Sequence, residues 1–121
     1  MNPADLFKND TNPTVLAAGE VLFHEGDSGD CMYVVLEGSL DVVVSGKSVF
    51  QATRGAILGE LALVDGSPRA ATVIATEDSR LSKVDERRFD FLIQQNLFFA
   101  KQVMKTLAER IRLMNQYYAG K

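Results

Sequence analysis

The chain has 121 residues, 46% of them hydrophobic and 24% charged, a composition that fits one globular domain with a modest core. Thirteen Lys and Arg against sixteen Asp and Glu leave a net charge of −3, which argues against the basic stripe of a general nucleic-acid binder. The lone Cys31 excludes an intrachain disulfide, and no apolar run approaches the ~20 residues that cross a bilayer.

The opening residues show no cationic region followed by an apolar run, so a cytoplasmic location is expected, and Asn9-Asp10-Thr11 is a chance sequon. Residues 1–13 carry Asn-Pro and Asn-Asp turn signals around Leu6 and Phe7 and read as a short helix or a loose arm. From residue 14 to about 85, short apolar runs are punctuated by Gly, Asp and Ser. Strands are expected at 14–17, 21–24, 31–37, 39–44, 48–52, 70–75 and 80–84. Leu40, Val42 and Val44 share one face, and Gly46-Lys47 suits a hairpin turn. The fold class is therefore mainly β with α, an antiparallel β-roll built like a jelly-roll barrel, with a pocket between its sheets.

Within that region, residues 58–72 form a short apolar helical turn flanked by Glu60 and Arg69, nine positions apart. A helix start offers backbone N–H groups to an anion, and Arg69 brings a planar, permanently charged fork suited to phosphate. Glu60 would repel a phosphate, so its natural partner is a hydroxyl on the same ligand. One phosphate plus one free ribose hydroxyl describes a cyclic nucleotide. Two other uses stay open: Arg69 can pair with Asp65 or Glu60, and Glu60 can serve the helix dipole.

Beyond residue 85 the period changes. Asp85-Glu86 opens a helix with Phe89, Leu92 and Ile93 on one stripe, and Asn96 marks a break. Leu97, Ala100, Met104, Leu107, Ile111, Met114 and Tyr118 then recur at steps of three and four, a heptad seam that predicts packing against another helix. The tail 101–121 has five cationic residues against Glu109 and reads as a solvated face. The organisation is an arm at 1–13, a roll at 14–85 and a helical lid or dimer segment at 86–121.

The remaining chemistry-bearing residues point away from catalysis. His24 is the only histidine, Cys31 has no His or second Cys, and Gly46-Lys47-Ser48 lacks the earlier glycine of a triphosphate loop. No metal, cofactor or enzymatic activity is expected. Gly26, Gly29 and Gly38 read as turn formers.

The segment Gly59-Glu60-Leu61-Ala62-Leu63, continued by Pro68-Arg69-Ala70-Ala71-Thr72, closely resembles the phosphate-binding cassette of the cyclic-nucleotide-binding domain family. That family includes kinase regulatory subunits, nucleotide-gated channels and catabolite-activator-type regulators. Leu58 stands where its cassette carries an aromatic residue. Glu25-Gly26-Asp27-Ser28-Gly29-Asp30 matches a second signature, and the resemblance spans roughly residues 14–96. It implies that Arg69 holds the phosphate and Glu60 the ribose 2′-hydroxyl. Gly59, Leu61, Ala62, Ala70 and Ala71 would complete the ligand-binding set. Ala70, lacking a hydroxyl, implies cAMP over cGMP. Asn115, Tyr117 and Tyr118 become candidates for a lid over the base. The implied function is a nucleotide sensor acting on an unknown protein effector or on its own dimerisation through 97–118. The alternative is the sensor part of a catabolite-activator-type regulator without its DNA-binding domain.

Overall fold

The computed structural model describes residues 2–119, with side chains described as far as Gln116. The run Cys31-Met32-Tyr33-Val34-Val35-Leu36 has almost no polar alternation, the mark of a strand covered on both faces. It forms β3 (Cys31–Glu37), an inner strand of a four-stranded antiparallel sheet. Its sheet partners are β1 (Thr14–Leu16), β6 (Ile57–Leu58) and β8 (Ser79–Asp85), in the order β1-β8-β3-β6. The facing sheet runs β2-β7-β4-β5, from β2 (Val21–Phe23), β7 (Thr72–Ala75), β4 (Leu40–Val44) and β5 (Lys47–Ala52).

Val35, Leu40, Val42, Leu58, Val73 and Leu81 meet between the two sheets as the core of the roll. Met32, Val34 and Leu36 point the other way, as the two-residue period of a strand requires. They form a second core with Phe7, Phe89, Phe99 and Val103. Three helical elements supply that outer layer. The first is a short 3-10 turn, Pro3–Phe7, capped by Asn2 and docked through Ala4 and Phe7, so the arm is an ordered element. Next comes α2 (Glu86–Gln95), capped by Asp85, which accepts from the Arg88 amide at 2.8 Å. The third is α3 (Leu97–Ala119); Asn96, after ending α2, accepts from the Phe99 amide at 2.9 Å and so caps α3 as well. The short α1 (Leu61–Val64) lies between β6 and β7. Among the described residues no helix is long and apolar enough to cross a membrane.

Three expectations change. The β4–β5 turn is Ser45-Gly46, not Gly46-Lys47, and both residues have positive φ (50° and 78°), as a two-residue hairpin loop demands. Strand β6 went unforeseen, because two residues are too few to show a period. The heptad seam does not pack as one stripe. Leu97, Met104 and Ile111 are 68%, 58% and 62% exposed, while α3 docks through Phe99, Val103 and a half-buried Leu107.

Candidate functional site

Arg69 is carried by the loop between α1 and β7, and its backbone is pinned before its side chain is considered. Its amide donates to Asp27 O at 2.7 Å, and its carbonyl accepts from the Gly26 amide at 2.8 Å. The glycine-rich segment 25–30 thus holds the loop that bears the arginine. Only 7% of Arg69 is exposed. One guanidinium nitrogen, Nη1, donates to Cys31 O at 2.7 Å and to Gly59 O at 3.1 Å. The other, Nη2, lies 3.5 Å from Cys31 Sγ, and the group stacks 4.3 Å over the Phe23 ring. A fork fixed in this way keeps Nε and one Nη2 proton uncommitted among the described residues.

Two glycines make room for the fork. A Cβ on Gly59 would lie 2.3 Å from Arg69 Nη1, and one on Gly29 would lie 2.4 Å from both Cζ and Nε. Gly59 also has a φ of 77°, which favours glycine in any case. Gly29 has no positive φ. Its requirement is space for Arg69, a role the reading as a turn former missed.

Glu60 sits at the start of α1, 3% exposed, with no capping hydrogen bond from its side chain. Among the described residues its carboxylate has no hydrogen bond and no ion pair within 4 Å. The ion-pair alternative for Arg69 is not realised there, whereas Glu60 does stand at the helix start that the dipole alternative requires. Among the described residues Arg69 has no carboxylate partner, and Asp65 instead accepts from Ser67, which holds its carboxyl below the usual aspartate range.

Arg69 and Glu60 line the same cavity, about 570 Å³ in volume, together with Gly59, Leu61, Ala62, Ala70 and Ala71. Val42, Val44, Val49, Phe50 and Val73 give it apolar walls, and α3 contributes Arg110, Leu113, Met114 and Gln116. Asn115 is exposed and lies outside the lining, whereas Met114 and Gln116 on either side belong to it. The side chains of Tyr117 and Tyr118 lie outside the described residues.

Arg110 corrects the reading of the tail as a solvated face. It donates from Nη2 to Ile57 O at 2.8 Å and stacks 4.4 Å over Phe50. Burial pushes its guanidinium below the usual arginine value, while the charges of Glu60 and Glu109 oppose that shift. One signal for it was present in the sequence. Phe99, Val103, Leu107 and Arg110 follow one another at helical spacing, so Arg110 continues the row that packs on the roll.

The arrangement suits a small polar anion with an apolar flat portion: a fork for the anionic end, a buried carboxylate for hydroxyl donors, and aliphatic walls beyond. Residues 13–96 match the family described as cyclic nucleotide-binding domain. The chain is 36% identical over 100 residues to lysophospholipase nte1 of Emericella nidulans, covering 78% of this chain and 6% of that protein. It is 35% identical over 105 residues to a cAMP-dependent protein kinase regulatory subunit of Blastocladiella emersonii, covering 83% of this chain and 26% of that protein. The chain therefore spans a small part of either relative. Its fold matches that of the Thermus thermophilus catabolite activator protein with a TM-score of 0.80 at 24% identity, over 97% of this chain and 57% of the other.

Proposed function

The chain belongs to the cyclic nucleotide-binding domain family, and from that premise we propose that it is a cyclic-nucleotide sensor in which Arg69 takes the phosphate and Glu60 the ribose 2′-hydroxyl. One observation carries the reading: a guanidinium and a carboxylate, each more than nine-tenths buried, line one cavity of nucleotide size without pairing with each other. Burying two charges that have no counter-ion among the described residues is costly, and a ligand that meets both would offset that cost. Amides of Leu61, Ala62, Ala70 and Ala71 would add donors to the phosphate and sugar. The role is binding rather than catalysis, in a cytoplasmic setting and without a metal or cofactor.

Adenine is preferred to guanine, because Ala70 brings no hydroxyl to the base, a difference of about 0.5–1.5 kcal/mol. The kinase regulatory subunit among the relatives, described as cAMP-dependent, supports that order. Ligand binding would change how α3 sits over the cavity, since α3 supplies part of its lining. Calorimetric titration with cAMP, cGMP and 5′-AMP tests the reading. Tight binding of cAMP, weaker binding of cGMP and little of 5′-AMP are expected. Equal indifference to all three would refute it.

A second reading is the sensor and dimerisation part of a catabolite-activator-type regulator. It is favoured by the exposed row Leu97, Met104 and Ile111, which repeats every seven residues as a helix pair between two copies requires. Light scattering on the wild type and on a Met104→Glu/Ile111→Lys variant decides it. A wild type that is monomeric at high concentration rules it out.

A further inference from the structure

Strand β2 reads Val21-Leu22-Phe23, and both Leu22 and Phe23 pack against the core of the roll. A regular strand turns neighbouring side chains to opposite faces, so the pair cannot both face inward without an irregularity. The β2–β7 register supplies one. Val21 lies opposite Ile74 and Phe23 opposite Val73, which leaves Leu22 as the extra residue of a bulge. In unbroken register Phe23 would share a face with Val21, which is 38% exposed. The bulge instead brings Phe23 to the wall of the nucleotide-sized cavity.

What the ring meets there is Arg69, whose guanidinium carbon lies 4.3 Å from the ring centroid. Tyr33 of the facing sheet packs on Phe23 with ring centroids 6.3 Å apart and planes tilted by 36°. Gly59 borders the ring as well, since a Cβ built there would come 3.4 Å from Phe23 Cε2. A ring held by both neighbours is a fixed surface for the guanidinium.

That surface supplies a restraint that the hydrogen bonds of Arg69 do not. Both backbone acceptors, Cys31 O and Gly59 O, are reached by Nη1 alone. Bonds at one corner restrain the group within its own plane, while a stacked face restrains its tilt out of that plane. The edge left for an anion is Nε with Nη2, and a two-pronged contact to phosphate depends on how that edge is tilted.

We propose that Phe23 is the positioning residue for the phosphate fork, an aromatic face delivered by the β2 bulge that fixes the plane of Arg69 before a ligand arrives. The proposal rests on reading the cavity as a cyclic-nucleotide site. A fork already in plane loses less freedom on binding than one the ligand must order.

The test uses the full chain, calorimetric affinity for cAMP and the Nε–H resonance of Arg69, identified by its loss in Arg69→Lys. In the nucleotide-free wild type that resonance should lie upfield, shielded by the ring face. In Phe23→Leu it should return towards the ordinary arginine position. Phe23→Leu keeps an apolar side chain and should bind cAMP about tenfold more weakly, within the range of a lost cation–aromatic contact. Phe23→Tyr keeps the face and should stay within about threefold of the wild type. In an Arg69→Lys background the Phe23→Leu loss should shrink to about threefold or less, because lysine has no plane to hold.

A residue that merely packed the cavity wall would give the same loss in both backgrounds and leave the resonance where it was. An unshifted Arg69 resonance in the wild type, or equal losses in the two backgrounds, overturns the assignment of Phe23 alone. The wild-type resonance carries the test if the leucine variant does not fold. A wild type that binds no cyclic nucleotide overturns the sensor function, and the positioning role with it.

Discussion

Replacing Gly29 with alanine should separate ligand binding from folding. The backbone at Gly29 has no positive φ, so alanine fits without strain, and the stiffer unfolded chain contributes about 0.4–1 kcal/mol of stability. The added methyl would sit 2.4 Å from Arg69 Cζ and Nε and 2.6 Å from Nη2, roughly 1 Å closer than an ordinary contact. The guanidinium is the free end of a flexible side chain, so it moves while the backbone stays. Moving it lengthens its bonds to Cys31 O and Gly59 O and shifts it off the Phe23 ring. A displacement of that size in a positioned group costs about a hundredfold, or ~2.7 kcal/mol. The weakened contacts offset that gain, so the protein should still fold with at most a modest drop in thermal midpoint, while calorimetry shows about a hundredfold weaker cAMP binding. An unchanged dissociation constant would show that Arg69 does not depend on the space Gly29 leaves. A collapsed midpoint would show that the methyl is accommodated by the backbone.

Arg69→Ala removes the fork itself and should cost about 2–5 kcal/mol of cAMP affinity by titration, the range for stripping a buried charge of its partner. Phe99 is fully buried, edge-on to Phe7 at 6.3 Å and Phe89 at 6.2 Å. Phe99→Ala should lower the urea-unfolding free energy by about 3–5 kcal/mol. Hydrogen bonding from Ser82 and the nearby charges of Arg88 and Arg80 hold the Asp10 carboxyl below its ordinary value, against the opposing effect of burial. A depressed native pKa gives stability that is present above the ordinary carboxylate value and lost as pH falls below it towards the depressed one. Asp10→Asn should flatten the acid limb of the midpoint-against-pH curve below about pH 4 and lower stability at neutral pH. Parallel acid limbs in variant and wild type would show that Asp10 is not the group titrating there.

The sequence made the roll legible wherever a strand was long enough to carry a period. Strand β3 declared itself by lacking alternation, and β4 by having it. The Ser45-Gly46 turn was placed one residue late, because Ser45-Gly46-Lys47-Ser48 offers two phases for a two-residue loop and only the strand register chooses between them. At the site, the convergence of Glu60 and Arg69 on one cavity was readable from chemistry alone, since few ligands call for both groups nine residues apart. Gly29 was readable only as a turn. A glycine that is needed for space rather than for its dihedral angles looks the same in sequence, and only the position of a distant side chain tells them apart.

Helix α3 shows why its packing resisted the same reading. Its apolar residues serve two directions. The row 97, 104, 111 repeats every seven residues and faces outward, while Phe99 and Val103 face the roll. A single heptad count merges the two rows and assigns the whole helix to one partner. The inward row also changes character along its length, from aromatic at Phe99 to cationic at Arg110. An aliphatic residue at 110 would hold the helix down whatever occupied the cavity, because dispersion does not depend on the charge state of its surroundings. The Arg110 guanidinium is instead held by one directional bond to Ile57 O and by the face of Phe50. The charge that made the tail look like solvent-facing helix is therefore part of what fastens α3 to the roll.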